Sequence, residues 1–206
     1  MNAPRDDLLP DAPSCGRNRE PILSHLKRLL ADPQCLLEIG SGTGQHAVYF
    51  APRLPHVRWQ TTDRADKLPG IRAWLEAEPA TNLLPPLQLD VSGEWPPVQA
   101  DTIFTANTFH IMSAVTVEAL FRHLPLALRP GGRLIVYGPV KIGGEFVGQG
   151  NAAFDQSLRQ GDPDMGIRDL EWLDGLAEAA GLRRTELNYL PANNQLMVWH
   201  KTIEGS

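Results

Sequence analysis

Cys35-Leu36-Leu37-Glu38-Ile39-Gly40-Ser41-Gly42-Thr43-Gly44-Gln45-His46 carries a short apolar run straight into glycines at 40, 42 and 44. An apolar run of this length stopped by glycine is the pattern of a strand buried on both faces of a parallel sheet. Cys35 is expected to be buried there as a small hydrophobe. Lacking a Cβ, the three glycines let the backbone turn sharply and let a ligand approach it closely. A helix is predicted from about Gly44 to Arg53, with its N-terminus facing whatever occupies the loop. Dinucleotide enzymes place their glycines as G-x-G-x-x-G, but here the third glycine comes one position early and Gln45 stands where that pattern has glycine. Glu38, two residues before Gly40, suits a ligand that carries an ammonium group. The bland reading of the loop is a structural turn.

Upstream, the first 15 or so residues hold three prolines and several acids without apolar periodicity, so residues 1–17 read as an irregular arm. Asn18 is expected to cap a helix carrying Ile22, Leu23, Leu26, Leu29 and Leu30 at helical spacing, ending near Asp32-Pro33. Downstream, strands and helices alternate. Val57–Thr62, Leu84–Leu89, Asp101–Ala106 and Arg133–Tyr137 read as strands, the last following a turn at Pro130-Gly131-Gly132. Ile71–Glu78, Val115–Leu128 and Leu170–Ala180 read as helices. This alternation implies an α/β chain with a parallel, doubly wound sheet. Arg183–Leu190 and Gln195–Lys201, joined by the turn residues Pro191-Ala192-Asn193-Asn194, predict a closing hairpin. The stretch of about 139–169 is too long for a simple connection and reads as a partly helical, lid-like insertion.

Acids recur at the strand ends. Asp63, 19 residues beyond Gly44, ends the second strand, where a carboxylate either accepts both hydroxyls of a ribose or caps the next helix. Asp90 with Val91 follows the third strand, as a ligand contact or a turn residue. A glycine loop after strand one, an acid after strand two and an acid after strand three form an order that independent accidents would rarely produce. Past the fourth strand lie Asn107 and His110, the polar candidates nearest the chemistry; His110 serves either as a general base or as a pocket-shaping side chain. Tyr137, just before the insertion, and Asn151, Arg159 and Arg168 within it are substrate candidates. Internal ion pairs to Asp155, Asp162 or Asp169 compete for both arginines.

Composition excludes several classes. Hydrophobic residues make up 42% and charged residues 21% of the chain, values ordinary for a single packed domain of 206 residues. A net charge of −5 with scattered Lys and Arg gives no reason to expect nucleic acid. No apolar stretch reaches membrane-spanning length, and with two cysteines no disulfide is expected, so the cytoplasm is the expected compartment. No metal is expected, and oligomeric state is not encoded in any pattern.

Together these features resemble the S-adenosylmethionine (SAM)-dependent methyltransferase superfamily. Within it they are similar to the methyltransferase-like protein 26 family, through Arg17-Asn18, Pro21-Ile22, residues 37–46, Asn107 with His110-Ile111, Tyr137-Gly138-Pro139, Asn151 with Phe154-Asp155, Asp162-Pro163, Gly166–Asp169 and Pro191–Asn194. The resemblance implies one Rossmann-like domain over residues 1–206, with a seven-stranded, mostly parallel sheet in the order 3-2-1-4-5-7-6 and a C-terminal antiparallel hairpin. It implies SAM as cofactor and S-adenosylhomocysteine as product, held by Arg17, Asn18, Glu38, Gly40, Ser41, Gly42, Gly44, Asp63, Asp90, Val91 and Asn107. Asp90 would meet the adenine amino group and the Val91 amide a ring nitrogen. The expected activity is methylation of a small molecule; binding of SAM or S-adenosylhomocysteine without turnover, as a sensor or partner protein, is the alternative.

Overall fold

The first strand, β1 (Gln34–Ile39), buries Leu36, Leu37 and Ile39 almost completely, so that both of its faces are covered. This is the position of a central parallel strand. The computed structural model describes residues 9–202, so expectations for residues 1–8 lie outside the described residues. Contacts divide the chain into two compact units, one ending at Asp90 and one starting at Val91.

In the first unit, helix α1 spans Pro13–Leu29 and packs Ile22, Leu23, Leu26 and Leu29 inward. It begins five residues before the expected cap. Proline at the first helical position presets φ and gives up an N–H that the first turn leaves unbonded anyway, and Pro13 therefore opens the helix. Asn18 lies buried inside it and caps nothing. After β1 come α2 (Gln45–Phe50), a 3-10 turn over Ala51–Arg53, β2 (Val57–Asp63), α3 (Leu68–Ala77) and β3 (Leu83–Gln88). β1 pairs with β2 in parallel, setting Leu36 beside Trp59 and Glu38 beside Thr61. β3 contains Pro85 and Pro86, which lack the N–H a sheet ladder needs; it is tolerated because β3 is an edge strand. Cys35 is only half-buried, at the less covered start of β1, and neither cysteine is disulfide-bonded.

The second unit contains β4 (Ala100–Ala106), α4 (Ala114–Ala127), β5 (Leu128–Gly138), β6 (Val140–Ile142), β7 (Glu145–Phe146), α5 (Gln149–Gly161), β8 (Arg168–Asp169), α6 (Leu170–Ala179), β9 (Leu182–Leu190) and β10 (Asn194–Lys201). Ser113 caps α4 by accepting the N–H of Thr116 at 3.2 Å. β5 begins earlier than expected. The Pro130-Gly131-Gly132 turn is an irregularity within the strand, between the pairs Ala100–Leu128 and Thr102–Arg133. An Arg129–Asp101 ion pair at 2.9 Å holds the chain there. β9 and β10 form the antiparallel hairpin, turning at Ala192 and Asn193 with φ of 60° and 58°. Asparagine tolerates that left-handed backbone better than most residues, as tight hairpin turns require.

The seven-stranded sheet runs β3-β2-β1-β4-β5-β10-β9, mostly parallel and finished by the C-terminal hairpin. The expected α/β, Rossmann-like order is thus present, with the last two strands numbered β9 and β10. The insertion between β5 and α6 is a second sheet, β7-β6-β8, together with α5. Strands of two and three residues leave no periodic trace in a sequence, which is why only its helix was expected. No helix among the described residues is long and apolar enough to cross a membrane.

Candidate cofactor loop and acceptor-side turn

In the first unit the glycine loop connects β1 to α2. Gly40, Gly42 and Gly44 have φ of 69°, 60° and 91°. Gly44 is the N-cap of α2, and a Cβ there would stand 3.2 Å from the Ile71 backbone of α3. Gly42 is different: a Cβ would meet nothing within 4 Å. The loop is therefore closed toward α3 at Gly44 and open at Gly42.

Under the loop sits Glu38, 2% exposed. Its Oε2 accepts the Ser41 hydroxyl at 3.0 Å and the Trp59 indole N–H at 2.9 Å. Burial pushes the Glu38 carboxyl up to about 7, with the nearby Asp63 charge adding to the rise and both hydrogen bonds opposing it. The Ser41 N–H donates to the Thr62 carbonyl, and the Thr62 N–H donates back to Ser41 Oγ, tying the loop to β2. At the end of β2, Asp63 Oδ2 accepts the Gly42 N–H at 2.8 Å and Oδ1 accepts the Arg64 N–H at 2.8 Å. Burial raises the Asp63 carboxyl above its ordinary value, and these two hydrogen bonds hold it back. Asp63 is not a helix cap, because α3 starts at Leu68 after Lys67. Asp90 follows β3 and is exposed.

Of the two predicted α1 residues, Arg17 is exposed and Asn18 is buried. Asn18 Oδ1 accepts from His46 Nε2 at 2.7 Å. Burial, helped by the Arg19 charge, drops His46 to about 4, so the imidazole is the neutral donor in this pair. The residue that sequence reasoning undervalued is Gln45. Its Oε1 accepts the Ala12 N–H at 2.7 Å and its Nε2 donates to Asp11 at 2.9 Å. Trp74 Nε1 donates to the Pro10 carbonyl at 2.8 Å. Residues 10–12 are thereby strapped to the start of α2 and to α3. The signal was visible as the non-glycine at the place of the third glycine, although its partners lie 33 and 34 residues away.

In the second unit, Val91 is buried. Asn107 takes a left-handed φ of 59° at the end of β4, and its N–H donates to the Tyr137 carbonyl at 2.8 Å. Tyr137 is itself buried. The chain then makes a single turn, with the Ile111 and Met112 N–H groups donating to the Thr108 carbonyl at 2.9 Å each. His110 rides on this turn, 5% exposed, edge-on to Phe154 with ring centroids 5.3 Å apart. Burial, with the Arg168 charge beside it, lowers His110 to about 4, leaving a neutral ring at neutral pH.

The substrate candidates separate. Arg159 Nε donates to Asp155 at 2.8 Å, one turn of α5 apart, so the internal ion pair is its use. Arg168 has no carboxylate partner within ion-pair distance among the described residues and donates to carbonyls at 109, 112 and 164. Asn151 is buried and donates to the Asn193 carbonyl at 3.1 Å, bracing the hairpin turn. Asp155 was passed over except as a partner for arginine, yet its Oδ1 also accepts the Ile167 N–H at 2.7 Å.

A family model described as "Protein of unknown function (DUF938)" matches residues 10–201. Among solved structures, the chain is similar to an O-methyltransferase family protein from Burkholderia thailandensis, with a TM-score of 0.80 and 14% identity over 92% of this chain and 58% of that one. It is also similar to the S-adenosylmethionine-dependent methyltransferase SibL in its apo form, with a TM-score of 0.77 and 19% identity over 91% and 55%. Human N-acetylserotonin methyltransferase in complex with SAM gives a TM-score of 0.76 and 16% identity over 92% and 53%. The chain thus spans between half and three-fifths of the length of these proteins, and at these identities the likeness is one of fold.

Proposed function

The chain belongs to the family of proteins of unknown function DUF938, and we propose that it is a SAM-dependent methyltransferase acting on a small molecule. The observation that carries this reading is the Asp63–Gly42 hydrogen bond under a loop whose glycine backbone opens to space at Gly42. The residues fit the cofactor. A Cβ-free backbone at 40, 42 and 44 gives room beside the loop, a carboxylate at the end of β2 suits ribose hydroxyls, and Asp90 after β3 suits an adenine amino group. Solved structures of similar fold include S-adenosylmethionine-dependent enzymes, one of them holding SAM.

When bound, SAM supplies a methyl group already activated on a sulfonium. What this chain adds is placement and proton handling. In the first unit the glycine loop would bind the cofactor and Asp63 would orient its ribose; in the second unit the His110 imidazole would be the group to take a proton. Burial leaves that ring unprotonated at neutral pH and a weaker base than a free imidazole, so its proton affinity would have to be recovered once an acceptor is bound. Arg159 is spent on Asp155 and Arg168 on carbonyls, so neither is offered to an anionic acceptor. Human N-acetylserotonin methyltransferase and the O-methyltransferase family protein support a small-molecule acceptor by analogy of fold.

Isothermal titration calorimetry with S-adenosylhomocysteine and, separately, with NAD tests the cofactor. Heat with the first and none with the second is expected, and the reverse would overturn the reading. Transfer of label from methyl-labelled SAM into a metabolite extract tests turnover, with label appearing in a small-molecule fraction.

A further inference from the structure

The turn that carries His110 is held mainly from outside. Arg168 Nε donates to the Phe109 carbonyl at 3.1 Å, and its Nη2 donates to the Met112 carbonyl and to the Asp164 carbonyl, the latter at 2.7 Å. Between those two anchor points the Gly166 N–H donates to the carbonyl of His110 itself at 2.9 Å. Residues 109, 110 and 112 therefore have their carbonyls taken up by residues 166 and 168. Segment 166–168 is in turn fixed: the Ile167 N–H is bound to buried Asp155 at 2.7 Å, Ile167 is 2% exposed, and Arg168 pairs with Val140 in the small sheet. A Cβ at Gly166, whose φ is 148°, would stand 2.4 Å from the Arg159 guanidinium and force it to shift. The other charged groups near this segment include Asp155 and Arg159 of α5, paired with each other, Asp162 and Asp164 ahead of Gly166, and Lys141 on β6, which pairs with β8. Of the cations it is the Arg168 charge that acts on the imidazole, second to burial.

We propose that Arg168 is a positioning residue, fixing the place of His110 through the backbone carbonyls on either side of it. This rests on the reading of His110 as the proton acceptor, and it changes the role of Arg168 from a substrate contact to a clamp. A guanidinium suits the task because its planar fork spreads several N–H donors over separated carbonyls and keeps its charge at all working pH values; an ammonium keeps the charge and three donors on one point but not the fork.

The test compares Arg168→Gln and Arg168→Lys in the otherwise unaltered chain, following the His110 ring resonances with pH and the hydrogen exchange of the Gly166 N–H. The His110 signals are identified by their loss in His110→Gln. Arg168→Gln is expected to move the His110 titration midpoint upward by about one pH unit, because a nearby cation has gone. It is also expected to speed Gly166 exchange by about tenfold, because the turn is freed. Arg168→Lys keeps the midpoint and loses the protection. Unchanged Gly166 exchange in Arg168→Gln overturns the proposal, and so does full protection in Arg168→Lys, which would show that the charge alone suffices. Binding of S-adenosylhomocysteine to the unaltered chain reports on the methyltransferase reading alone, so the two ideas fail separately.

Discussion

Asp63 and Gly42 are joined directly: the carboxylate at the end of β2 accepts the N–H at the crest of the glycine loop at 2.8 Å. One side chain thus holds the loop, and under the proposed function its remaining lone pairs would meet the ligand. Asp63→Ala removes both roles, whereas Asp63→Asn keeps an oxygen for Gly42 and loses the second carboxylate oxygen. S-adenosylhomocysteine affinity is expected to fall by roughly 100-fold in the first variant and roughly tenfold in the second, as hydrogen bonds to a charged group imply. Calorimetry reads both, and unchanged affinity in Asp63→Ala would show that the ribose assignment is wrong.

Two glycines should respond to alanine in opposite directions. Gly44→Ala asks an L-residue to hold φ of 91° with its Cβ 3.2 Å from the Ile71 backbone. A loss of about 1–3 kcal/mol is expected. Gly16→Ala, inside α1 with nothing within 4 Å of the new methyl, should gain up to about 1 kcal/mol from helix propensity. Urea unfolding midpoints give both signs.

Glu38 gives a pH dependence of definite sign. Its folded carboxyl, raised by burial to about 7 from 4.5, binds more protons than the unfolded one between those values, so its contribution to stability falls as pH rises through that window. His46 and His110, lowered by burial to about 4 from 6.5, bind fewer protons when folded, and their contribution is lost as pH falls from 6.5 toward 4. The two trends oppose each other. Glu38→Gln, which keeps an acceptor for Ser41 and Trp59, should remove the first trend. Its stability is expected to rise more steeply between pH 5 and 7 than that of the unaltered chain, gaining about 1–3 kcal/mol relative to it by pH 8. Unfolding curves at pH 5, 6, 7 and 8 check the slope, and parallel profiles would contradict the assignment.

Gln45→Ala releases both the Asp11 and the Ala12 bonds of the strap. Exchange of the Ala12 N–H should quicken by about tenfold, while the core strands keep their protection. Trp74→Phe, which frees the Pro10 carbonyl, should loosen the same segment, and exchange mapped by mass spectrometry follows either change.

The parts of this fold that could be read in the sequence are those with local causes. β1 announces itself by an apolar run and a glycine stop, and the hairpin by Pro191 to Asn194 between two alternating runs. The start of α1 was misread because Asn18 has the chemistry of a cap, and what buries it instead is a histidine 28 residues further on. The early start of β5 depends on Arg129 reaching Asp101, again a distant partner. In the candidate site, Glu38 and Asp63 stand out in the sequence by position relative to the glycines, while their hydrogen bonds do not. Arg168 shows the limit most clearly. A sequence shows a cation near acids and suggests an ion pair; the partners are main-chain carbonyls, which no residue letter records.

Trp59 is wholly buried and gives its indole N–H to the carboxyl of Glu38, the same oxygen that receives Ser41 from the glycine loop. The molecule therefore carries its own optical probe at the root of the loop. An indole responds in its emission to the charge of the group it donates to, so the difference between the fluorescence of the unaltered chain and that of Trp59→Phe follows the ionisation of Glu38. It does so without a label, in the intact fold, and in the same cuvette in which a ligand is added.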